Sequence, residues 1–366
     1  MNSRTAFFQY RFFACCLLLL TLTGAIAQDK ILPFNSPDIA YEGRIAYAND
    51  AAALTWSGTS VTVRFNGTSI AAVMQDTDTA NYYNVIIDDT VFSKIHTATI
   101  KHTYLLATGL SNGDHKLQLF KRTEWTMGKT WFYGFEMPTS TKILPPAAAK
   151  KRKIEFYGNS ITCGYAIEDS SGKDSGKGFF ENNYRSYAAI TARHFNAQYS
   201  CIARSGIGIM LSWFPLIMPE MYDRMDATDS ASKWDFKQYA PDIVVVNLFQ
   251  NDSWLIKRPQ HNEFKHRFGT TEPDENFIVA SYRNFVQAIR AKYPKANIIC
   301  ALGSMDATKD GSPWPGYIEK AVQQLHDRKL YTHFFAYKNT SGHPNIKEQQ
   351  VMANSLIAFI DKEIRW

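Results

Sequence analysis

The fold is decided by residues 153–162, which read KIEFYGNSIT. Residues 153–157 predict a strand, and the glycine that follows predicts a tight turn into the next element. Beyond this segment helical and strand patterns alternate, with helices at 187–195, 275–293 and 346–364 and strands at 198–203, 242–248 and 297–302. The alternation predicts a three-layer, flavodoxin-like α/β domain with a central parallel sheet. Ligands of such sheets gather at the carboxyl ends of the strands, so we expect the chemistry there.

The preceding part of the chain follows a different pattern. Between residues 43 and 138, short runs such as 61–65 and 115–120 alternate apolar and polar residues. Turn-forming pairs such as Ser57-Gly58 and Asn66-Gly67 separate these runs. Evenly spaced strands and turns predict an all-β sandwich of jelly-roll type. We expect the sandwich at 28–142, a linker at 143–150 and the α/β domain at 151–366.

The composition suits two globular domains and disfavours a nucleic-acid partner. The chain has 366 residues, and 45% of them are hydrophobic, which is enough to form ordinary buried cores. The formal net charge is +6, but the basic residues are scattered, and the run at 150–153 lies at the expected linker. A solvated hinge is therefore favoured over a nucleic-acid surface. We expect a monomer.

The first residues predict export. Arg4 and Arg11 precede an apolar stretch that ends in the small-x-small sequence Ala25-Ile26-Ala27. This pattern predicts a signal peptide at 1–27 and not a membrane span, because no second long apolar run follows. A lipoprotein anchored through Cys15 fits less well, since most of the apolar region lies after that cysteine. We expect the mature protein in the periplasm or outside the cell.

The remaining cysteines do not form a disulfide framework. Cys163, Cys201 and Cys300 all lie in or beside predicted core strands or turns, and three cysteines allow at most one bridge. We expect buried free thiols. No Cys/His cluster has the spacing of metal ligands, so no metal site is expected.

Ser160 is the first candidate for chemistry. It follows Gly158 and Asn159 directly after a predicted strand, where a tight turn exposes the serine Oγ and leaves its backbone N–H free. A helix cap is the alternative role for a serine in this place.

Three further segments of the same domain carry candidate residues. Gly206 lies in a glycine-containing turn after the second strand, with Gly208 as a weaker alternative, and a plain turn remains possible. Asn251 follows the most apolar strand, where its amide suits an oxyanion donor or an Asx turn. His343 precedes Pro344 in a loop before the last helix, which suits a general base, although many histidines are structural.

In this order, Ser160, Gly206, Asn251 and His343 resemble the four blocks of the SGNH hydrolase superfamily. The chain is more closely similar to carbohydrate esterase family two, which joins an N-terminal jelly roll to an SGNH domain. The segments that carry this resemblance are 81–85, 119–124 (LFKRTE), 154–165 (IEFYGNSITCGY), 181–189 and 343–345. Members deacetylate plant-type polysaccharides, often at a primary hydroxyl, and need no cofactor.

The resemblance implies acyl transfer through an acetyl-enzyme, with Ser160 as nucleophile and His343 as its base. The oxyanion donors implied are the N–H groups of Ser160 and Gly206 and the amide of Asn251. The expected partner is an acetylated polysaccharide or oligosaccharide.

Other sites and functions stay open at this point. The tryptophans that follow the later strands are candidates for stacking on sugar rings, with ordinary packing as an equal alternative; they are Trp213, Trp254 and Trp314. The jelly roll is expected mainly to form one wall of the cleft, and it is also able to bind sugar. Two alternative functions are a non-catalytic carbohydrate-binding protein on a decayed esterase scaffold and an esterase for peptidoglycan O-acetyl groups.

Three positions depart from the superfamily pattern. Asn159 replaces the usual aspartate after the first glycine, with little effect expected. Phe249 replaces the usual glycine two residues before Asn251, and its ring is expected to narrow the acyl pocket or to reshape the loop. Thr340 replaces the aspartate three residues before His343. Members of the resembled family include some that use a main-chain carbonyl to orient the histidine. The resemblance therefore implies such a carbonyl near Thr340 and Ser341 here, with Asp306 as a less favoured alternative.

Overall fold

The computed structural model describes residues 29–48 and 50–366. The predicted signal peptide at 1–27 lies outside these residues. No helix in the described part of the chain is long and apolar enough to cross a membrane.

In the described residues of the N-terminal sandwich, twelve antiparallel strands are present. They are β1 (Lys30–Pro33), β2 (Ile39–Glu42), β3 (Ala46–Ala48), β4 (Ala51–Leu54), β5 (Ser60–Asn66), β6 (Ile70–Asp76), β7 (Tyr82–Ile87), β8 (Thr90–His96), β9 (His102–Ala107), β10 (Asp114–Lys121), β11 (Thr130–Met137) and β12 (Lys142–Leu144). One sheet has the order β3-β4-β11-β6-β9, with β1 also paired to β11, and the other has the order β12-β5-β10-β7-β8, with β2 also paired to β5. The last strand, β12, lies partly within the segment 143–150 that was predicted as linker.

The alternating sequence pattern explains how the sandwich closes. On β5, Val61, Val63 and Phe65 are buried, while the residues between them are less so. On β11, Phe132 and Phe135 are buried in the same core. The two sheets therefore bury their inner faces against each other, as the period-two pattern requires.

The C-terminal domain has five parallel strands in the order β14-β13-β15-β16-β17. Its elements in chain order are β13 (Arg152–Gly158), α1 (Ser160–Cys163), α2 (Tyr187–His194), β14 (Ala197–Ala203), β15 (Ile243–Asn247), α3 (Gln250–Leu255), α4 (Asn262–Phe268), α5 (Glu275–Lys292), β16 (Asn297–Leu302), α6 (Trp314–Leu325), β17 (Leu330–Phe334) and α7 (Ile346–Glu363). The sheet is covered by helices on both faces. Val244 and Val246 of β15 pack with residues of α5 and α6, whereas Ile243 and Val245 pack with residues of α2 and α7. The continuous apolar run of β15 follows from this burial on both faces.

A buried ion pair joins the two domains. Arg44 Nη2 of the sandwich lies 3.2 Å from Glu155 Oε1 of β13, and neither side chain is exposed. Arg44 Nη1 donates to the carbonyl oxygens of Tyr222 at 2.7 Å and Arg224 at 2.8 Å. Glu155 also accepts from the Tyr293 hydroxyl at 2.8 Å. Both charged groups are thus buried and hydrogen-bonded to each other and to further partners, so removal of either charge leaves the other uncompensated.

We predict that Arg44→Ala lowers the free energy of unfolding by about 3–5 kcal/mol, because the Glu155 carboxylate is left buried without a cation. The matched control is Lys150→Ala, which removes a partly exposed pair with Glu42 at 2.8 Å and is expected to cost at most about 1 kcal/mol. Urea denaturation followed by tryptophan fluorescence measures both. Equal losses in the two variants would contradict this account of the interface.

Candidate active site

Ser160 lies at the sharp turn between β13 and α1. A Cβ on Gly158 would come within 2.0 Å of Thr162 Oγ1, so the turn requires glycine there. The Asn159 side chain caps α1 by accepting from the backbone N–H of Ile161 at 3.1 Å. Asn159 therefore has the structural role expected for it, and Ser160 becomes the first residue of the helix.

His343 contacts the Ser160 hydroxyl. Its Nε2 lies 2.8 Å from Ser160 Oγ, which is within the range of a hydrogen bond between a nucleophile and its general base. The Tyr165 ring packs against the imidazole with the ring centroids 4.5 Å apart. The structure thus brings together two residues that lie far apart in the sequence, on the loops after β13 and before α7.

Asp174 orients His343. Its Oδ2 lies 2.7 Å from His343 Nδ1, and its Oδ1 accepts from the backbone N–H of His343 at 2.9 Å. Gly342 has φ +68°, and a Cβ there would lie 3.2 Å from the Asp174 Cγ, so glycine allows this close approach. Ser160, His343 and Asp174 therefore form a continuous serine–histidine–aspartate chain of hydrogen bonds.

The expectation that a main-chain carbonyl orients His343 was wrong. The carbonyl oxygens of Thr340 and Ser341 accept instead from Lys338 Nζ, at 2.9 and 3.0 Å. The less favoured alternative, Asp306, was wrong as well, because its carboxylate accepts from Trp254 Nε1 at 2.8 and 2.9 Å. Thr340 replaces the usual aspartate, and Asp174, from another part of the chain, orients His343 in its place.

Sequence reasoning missed Asp174 because it lies in an irregular loop, 169 residues before His343. The available signal was its position shortly after Ser160 in a segment rich in glycine, serine and aspartate. The loop has a defined shape, since Asp169 accepts from the backbone N–H groups of Ser171 at 2.9 Å and Ser175 at 2.8 Å.

The carboxylate of Asp174 is held in its charged form. Partial burial acts to raise its pKa, but the hydrogen bonds and positive charge of His343, with a contribution from Lys338, lower the pKa below the ordinary value. A carboxylate that stays ionised near neutral pH can stabilise the imidazolium that forms when His343 takes a proton.

Gly206, Trp213 and Asn251 are joined by hydrogen bonds in the segments that follow β14 and β15, the two strands that flank β13. Gly206 has φ +82°, and its carbonyl oxygen accepts from the Trp213 backbone N–H at 3.1 Å. The Trp213 indole N–H donates to Asn251 Oδ1 at 3.0 Å, and Asn251 Nδ2 donates to the Ile207 carbonyl oxygen at 2.8 Å. These bonds fix the orientation of the Asn251 amide and leave its second N–H available.

The backbone N–H groups of Ser160 and Gly206 donate to no acceptor within the described residues. The weaker alternative, Gly208, was wrong, because its N–H donates to Ser212 Oγ at 2.9 Å. Two free N–H groups and one oriented amide make an arrangement suited to an anionic oxygen.

Asp252 holds the loop that follows Gly206. This fully buried carboxylate accepts from the backbone N–H groups of Met210 at 2.7 Å and Leu211 at 3.0 Å through Oδ1, and of Ile209 at 3.1 Å through Oδ2. Desolvation raises its pKa to about 6, although the three hydrogen bonds act to lower it. Asp252 was not predicted as a site residue, and it ties the turn after β14 to the beginning of α3.

Phe249 does not narrow an acyl pocket. Its backbone has φ +85°, the left-handed region that favours glycine, which explains the usual residue at this position. The buried ring packs against Tyr282 and Trp314, with centroids 4.8 and 5.0 Å apart. The first expected effect, a narrowed acyl pocket, was therefore wrong, because the ring fills the core; the second, a reshaped loop, stays a prediction.

The three candidate tryptophans differ in exposure. Trp213 is 38% exposed and contacts both Gly206 and Asn251, as described above. Trp254 is partly exposed, and its indole N–H donates to the Asp306 carboxylate. Trp314 is 5% exposed and packs on Phe249, which agrees with the packing alternative for this residue.

The described cysteines are all buried free thiols, as predicted. Burial raises the pKa of the Cys163 thiol. Its sulfur lies within 4.8 Å of carboxylate oxygens of Glu124 and Glu181, a set of types able to ligate a metal ion. Lys121 contributes a positive charge to the same cluster.

Comparisons with known proteins agree with this architecture. Residues 41–146 match the family model for the carbohydrate esterase 2 N-terminal domain, and residues 156–332 match that of the GDSL-like lipase/acylhydrolase family. A solved family two carbohydrate esterase from Clostridium thermocellum, in complex with cellohexaose, is 33% identical with a TM-score of 0.79; the match covers 89% of this chain and 99% of that chain. The predicted fold, a sandwich followed by an SGNH-type α/β domain, is confirmed.

Two curated relatives extend the comparison. The cellulase/esterase CelE of Acetivibrio thermocellus is 34% identical over 353 residues, which are 93% of this chain but 41% of that protein. An acetylxylan esterase / glucomannan deacetylase of Cellvibrio japonicus is 26% identical over 342 residues, which are 91% of this chain and 90% of that protein. The chain therefore spans less than half the length of the first relative and nearly all of the second.

We predict that Asp174→Asn lowers kcat/KM for ester hydrolysis by about 10²–10⁴-fold, because an amide does not stabilise the imidazolium. Steady-state kinetics with 4-nitrophenyl acetate measure the loss. Asp361→Asn is the matched control, since it makes the same change at an exposed position of α7; its rate should stay within about threefold of the wild type. Full activity in Asp174→Asn would show that His343 needs no carboxylate.

Proposed function

The chain belongs to carbohydrate esterase family two, and on this premise we propose that it is a serine esterase that removes O-acetyl groups from carbohydrate. The observation that carries the proposal is the contact of 2.8 Å between Ser160 Oγ and His343 Nε2, with Asp174 on the opposite ring nitrogen. A chain of this kind activates a hydroxyl for attack on an acyl carbon.

In the first half of the reaction, His343 Nε2 takes the proton of the Ser160 hydroxyl as Oγ attacks the acetyl carbonyl carbon. The developing oxyanion accepts from the N–H groups of Ser160 and Gly206 and from the Asn251 amide, and each such donor is typically worth about 3–4 kcal/mol. His343 then protonates the sugar oxygen, the C–O bond to the acyl carbon breaks, and the deacetylated sugar leaves.

In the second half, His343 accepts a proton from water, which attacks the acetyl-serine. The oxyanion forms again in the same place, and collapse returns the proton from His343 to Ser160 as acetate departs. Asp174 stays ionised throughout and stabilises the imidazolium at both stages. No bond in this sequence needs a cofactor.

The substrate class follows from the aromatic surroundings and the relatives. Trp213 lies in the loop after β14 and Trp254 lies in α3 after β15, and both are partly exposed, so each offers apolar surface to a sugar ring. The relatives named as acetylxylan esterase / glucomannan deacetylase are consistent with an acetylated plant polysaccharide. We propose such polysaccharides or their oligosaccharides as substrates, reached after export by the N-terminal segment to the periplasm or the exterior.

The non-catalytic alternative loses its support in this structure. It rested on Thr340 and Phe249, the departures from the superfamily pattern. Asp174 contacts the imidazole nitrogen that the usual aspartate would contact, and Phe249 packs in the core. Neither departure therefore indicates a decayed site.

We predict that the wild type hydrolyses 4-nitrophenyl acetate and that Ser160→Ala and His343→Ala each lose at least about 10³-fold in kcat. Release of acetate from acetylated xylan, acetylated glucomannan and O-acetylated peptidoglycan then identifies the substrate. The plant polysaccharides should be deacetylated, and release from peptidoglycan alone would favour a cell-wall esterase. An inert wild type, or a Ser160→Ala variant with full rate, would overturn the esterase proposal.

A further inference from the structure

The segment Lys121-Arg122-Thr123-Glu124 leaves the end of β10 and enters the α/β domain. All four residues are buried, with exposures of 0%, 3%, 0% and 2%. Three of them carry ionisable side chains, whose burial is costly unless each is paired and hydrogen-bonded. A sandwich that served only as a wall would not need buried charges at this place.

The Glu124 carboxylate reaches the turn that carries a proposed oxyanion donor. Its Oε2 accepts from the backbone N–H of Ser205 at 2.7 Å, and Ser205 directly precedes Gly206. Because this bond holds the N–H of one peptide unit, it restricts the rotation of the next unit, which carries the Gly206 N–H. The Glu124 carboxylate of the sandwich therefore helps to set the direction in which the free Gly206 N–H points.

Neighbouring side chains reinforce this hold. The guanidinium of Arg204, one residue before Ser205, lies over the Trp125 ring at 4.7 Å and over the Phe214 ring at 3.3 Å. Two consecutive sandwich residues thus contact the turn. Glu124 accepts a hydrogen bond from Ser205, and the Trp125 ring packs against the Arg204 guanidinium.

The same residue is linked to the helix that begins with Ser160. The Glu124 backbone N–H donates to Glu181 Oε1 at 2.7 Å. The next residue, Asn182, donates its backbone N–H to the Gly164 carbonyl oxygen at 3.1 Å, and Gly164 caps the end of α1. Glu124 therefore connects the Gly206 turn to the helix that holds Ser160 at its other end.

The same segment also places the positive charge of Lys121 near the buried carboxylates of Glu124 and Glu181. Lys121 Nζ donates to Asn81 Oδ1 at 2.7 Å and to the Thr123 carbonyl oxygen at 2.9 Å. Burial lowers the pKa of Lys121 to about 8, against the attraction of nearby carboxylates including Glu181 and Glu124. The sandwich thus supplies both the carboxylate and a cation that offsets buried negative charge.

We propose that Glu124 is a positioning residue for acyl transfer: it fixes the Ser205–Gly206 peptide so that the Gly206 N–H meets the oxyanion. The proposal rests on the esterase function proposed above. It assigns to the sandwich domain a part in building the oxyanion site. Since the oxyanion exists in the transition state and not in the bound ester, the loss of Glu124 should lower kcat and leave KM nearly unchanged.

The test compares two substitutions of nearly equal volume. Glu124→Gln keeps an oxygen that can accept the Ser205 N–H, whereas Glu124→Met fills the space without an acceptor. With 4-nitrophenyl acetate we expect kcat to fall by about 10–10²-fold in Glu124→Met, with KM within about threefold, and to be rescued to within about threefold of the wild type in Glu124→Gln. Asp226→Ala is the control, because it breaks another contact between the domains, a partly buried pair with Lys129 at 3.0 Å, and does not remove the bond between Glu124 and Ser205.

Amide hydrogen exchange gives a second readout that does not depend on activity. Peptides that contain Ser205 and Gly206 should lose protection in Glu124→Met and keep it in Glu124→Gln and Asp226→Ala. Unchanged kcat and unchanged exchange in Glu124→Met would overturn the inference while the wild type remains an esterase. A folded Glu124→Gln with a loss as large as that expected for Glu124→Met would overturn it too. If the wild type is inert but the exchange pattern is as expected, the proposed esterase function is overturned. The hydrogen bond by which Glu124 restrains the 204–206 turn is then still supported.

Discussion

A side chain at position 158 would place its Cβ 2.0 Å from Thr162 Oγ1, so the turn from β13 into α1 closes only around glycine. Thr162 cannot move away freely, because its hydroxyl is bonded to Tyr187 at 3.0 Å, and Tyr187 accepts from Asn247 at 3.1 Å. This constraint places Ser160 at the beginning of a helix and at the carboxyl edge of the sheet. The other site elements are arranged around that one position, each at the end of a strand or in a loop beside it.

The triad-like chain illustrates that geometry, not order along the sequence, defines such a site. The superfamily pattern has an aspartate three residues before the histidine, and this chain has Thr340 there. Asp174 approaches His343 from the loop after α1 and contacts both its ring and its backbone. The compensation needs a glycine at 342, where a side chain would crowd the carboxylate. The loop therefore supplies an orienting group while His343 Nε2 lies within hydrogen-bond distance of Ser160 Oγ.

Much of the fold could be predicted because periodic patterns report burial. The apolar run of β15 and the alternation of β5 gave a parallel sheet and a sandwich, and both were confirmed. Asp174 could not be predicted, since its loop has no period and its partner lies 169 residues away. The effect expected of the Phe249 ring on the acyl pocket was wrong for a related reason, and the sequence left open whether Trp314 packs in the core. Each depends on which way a single group points, and a sequence does not record that direction.

The contacts between the domains could not be predicted from the sequence either. Arg44 and Glu124 are charged residues in a β-rich segment, where such residues usually lie at the surface. Both are buried because their partners belong to the α/β domain. The two domains are therefore joined by buried charged groups. Arg44 of the sandwich pairs with a carboxylate of the α/β domain, and Glu124 of the sandwich holds the turn that contains Gly206.

The most direct test of this account is to identify the residue that carries the acyl group. The enzyme is mixed with an acetylated oligosaccharide, quenched in acid within the first turnovers, digested, and analysed by tandem mass spectrometry. The account predicts a single acetyl group on Ser160 that disappears as the substrate is exhausted and does not form in Ser160→Ala. Turnover with no acetyl group on Ser160, or an acetyl group on another residue that forms and decays at the catalytic rate, would contradict it.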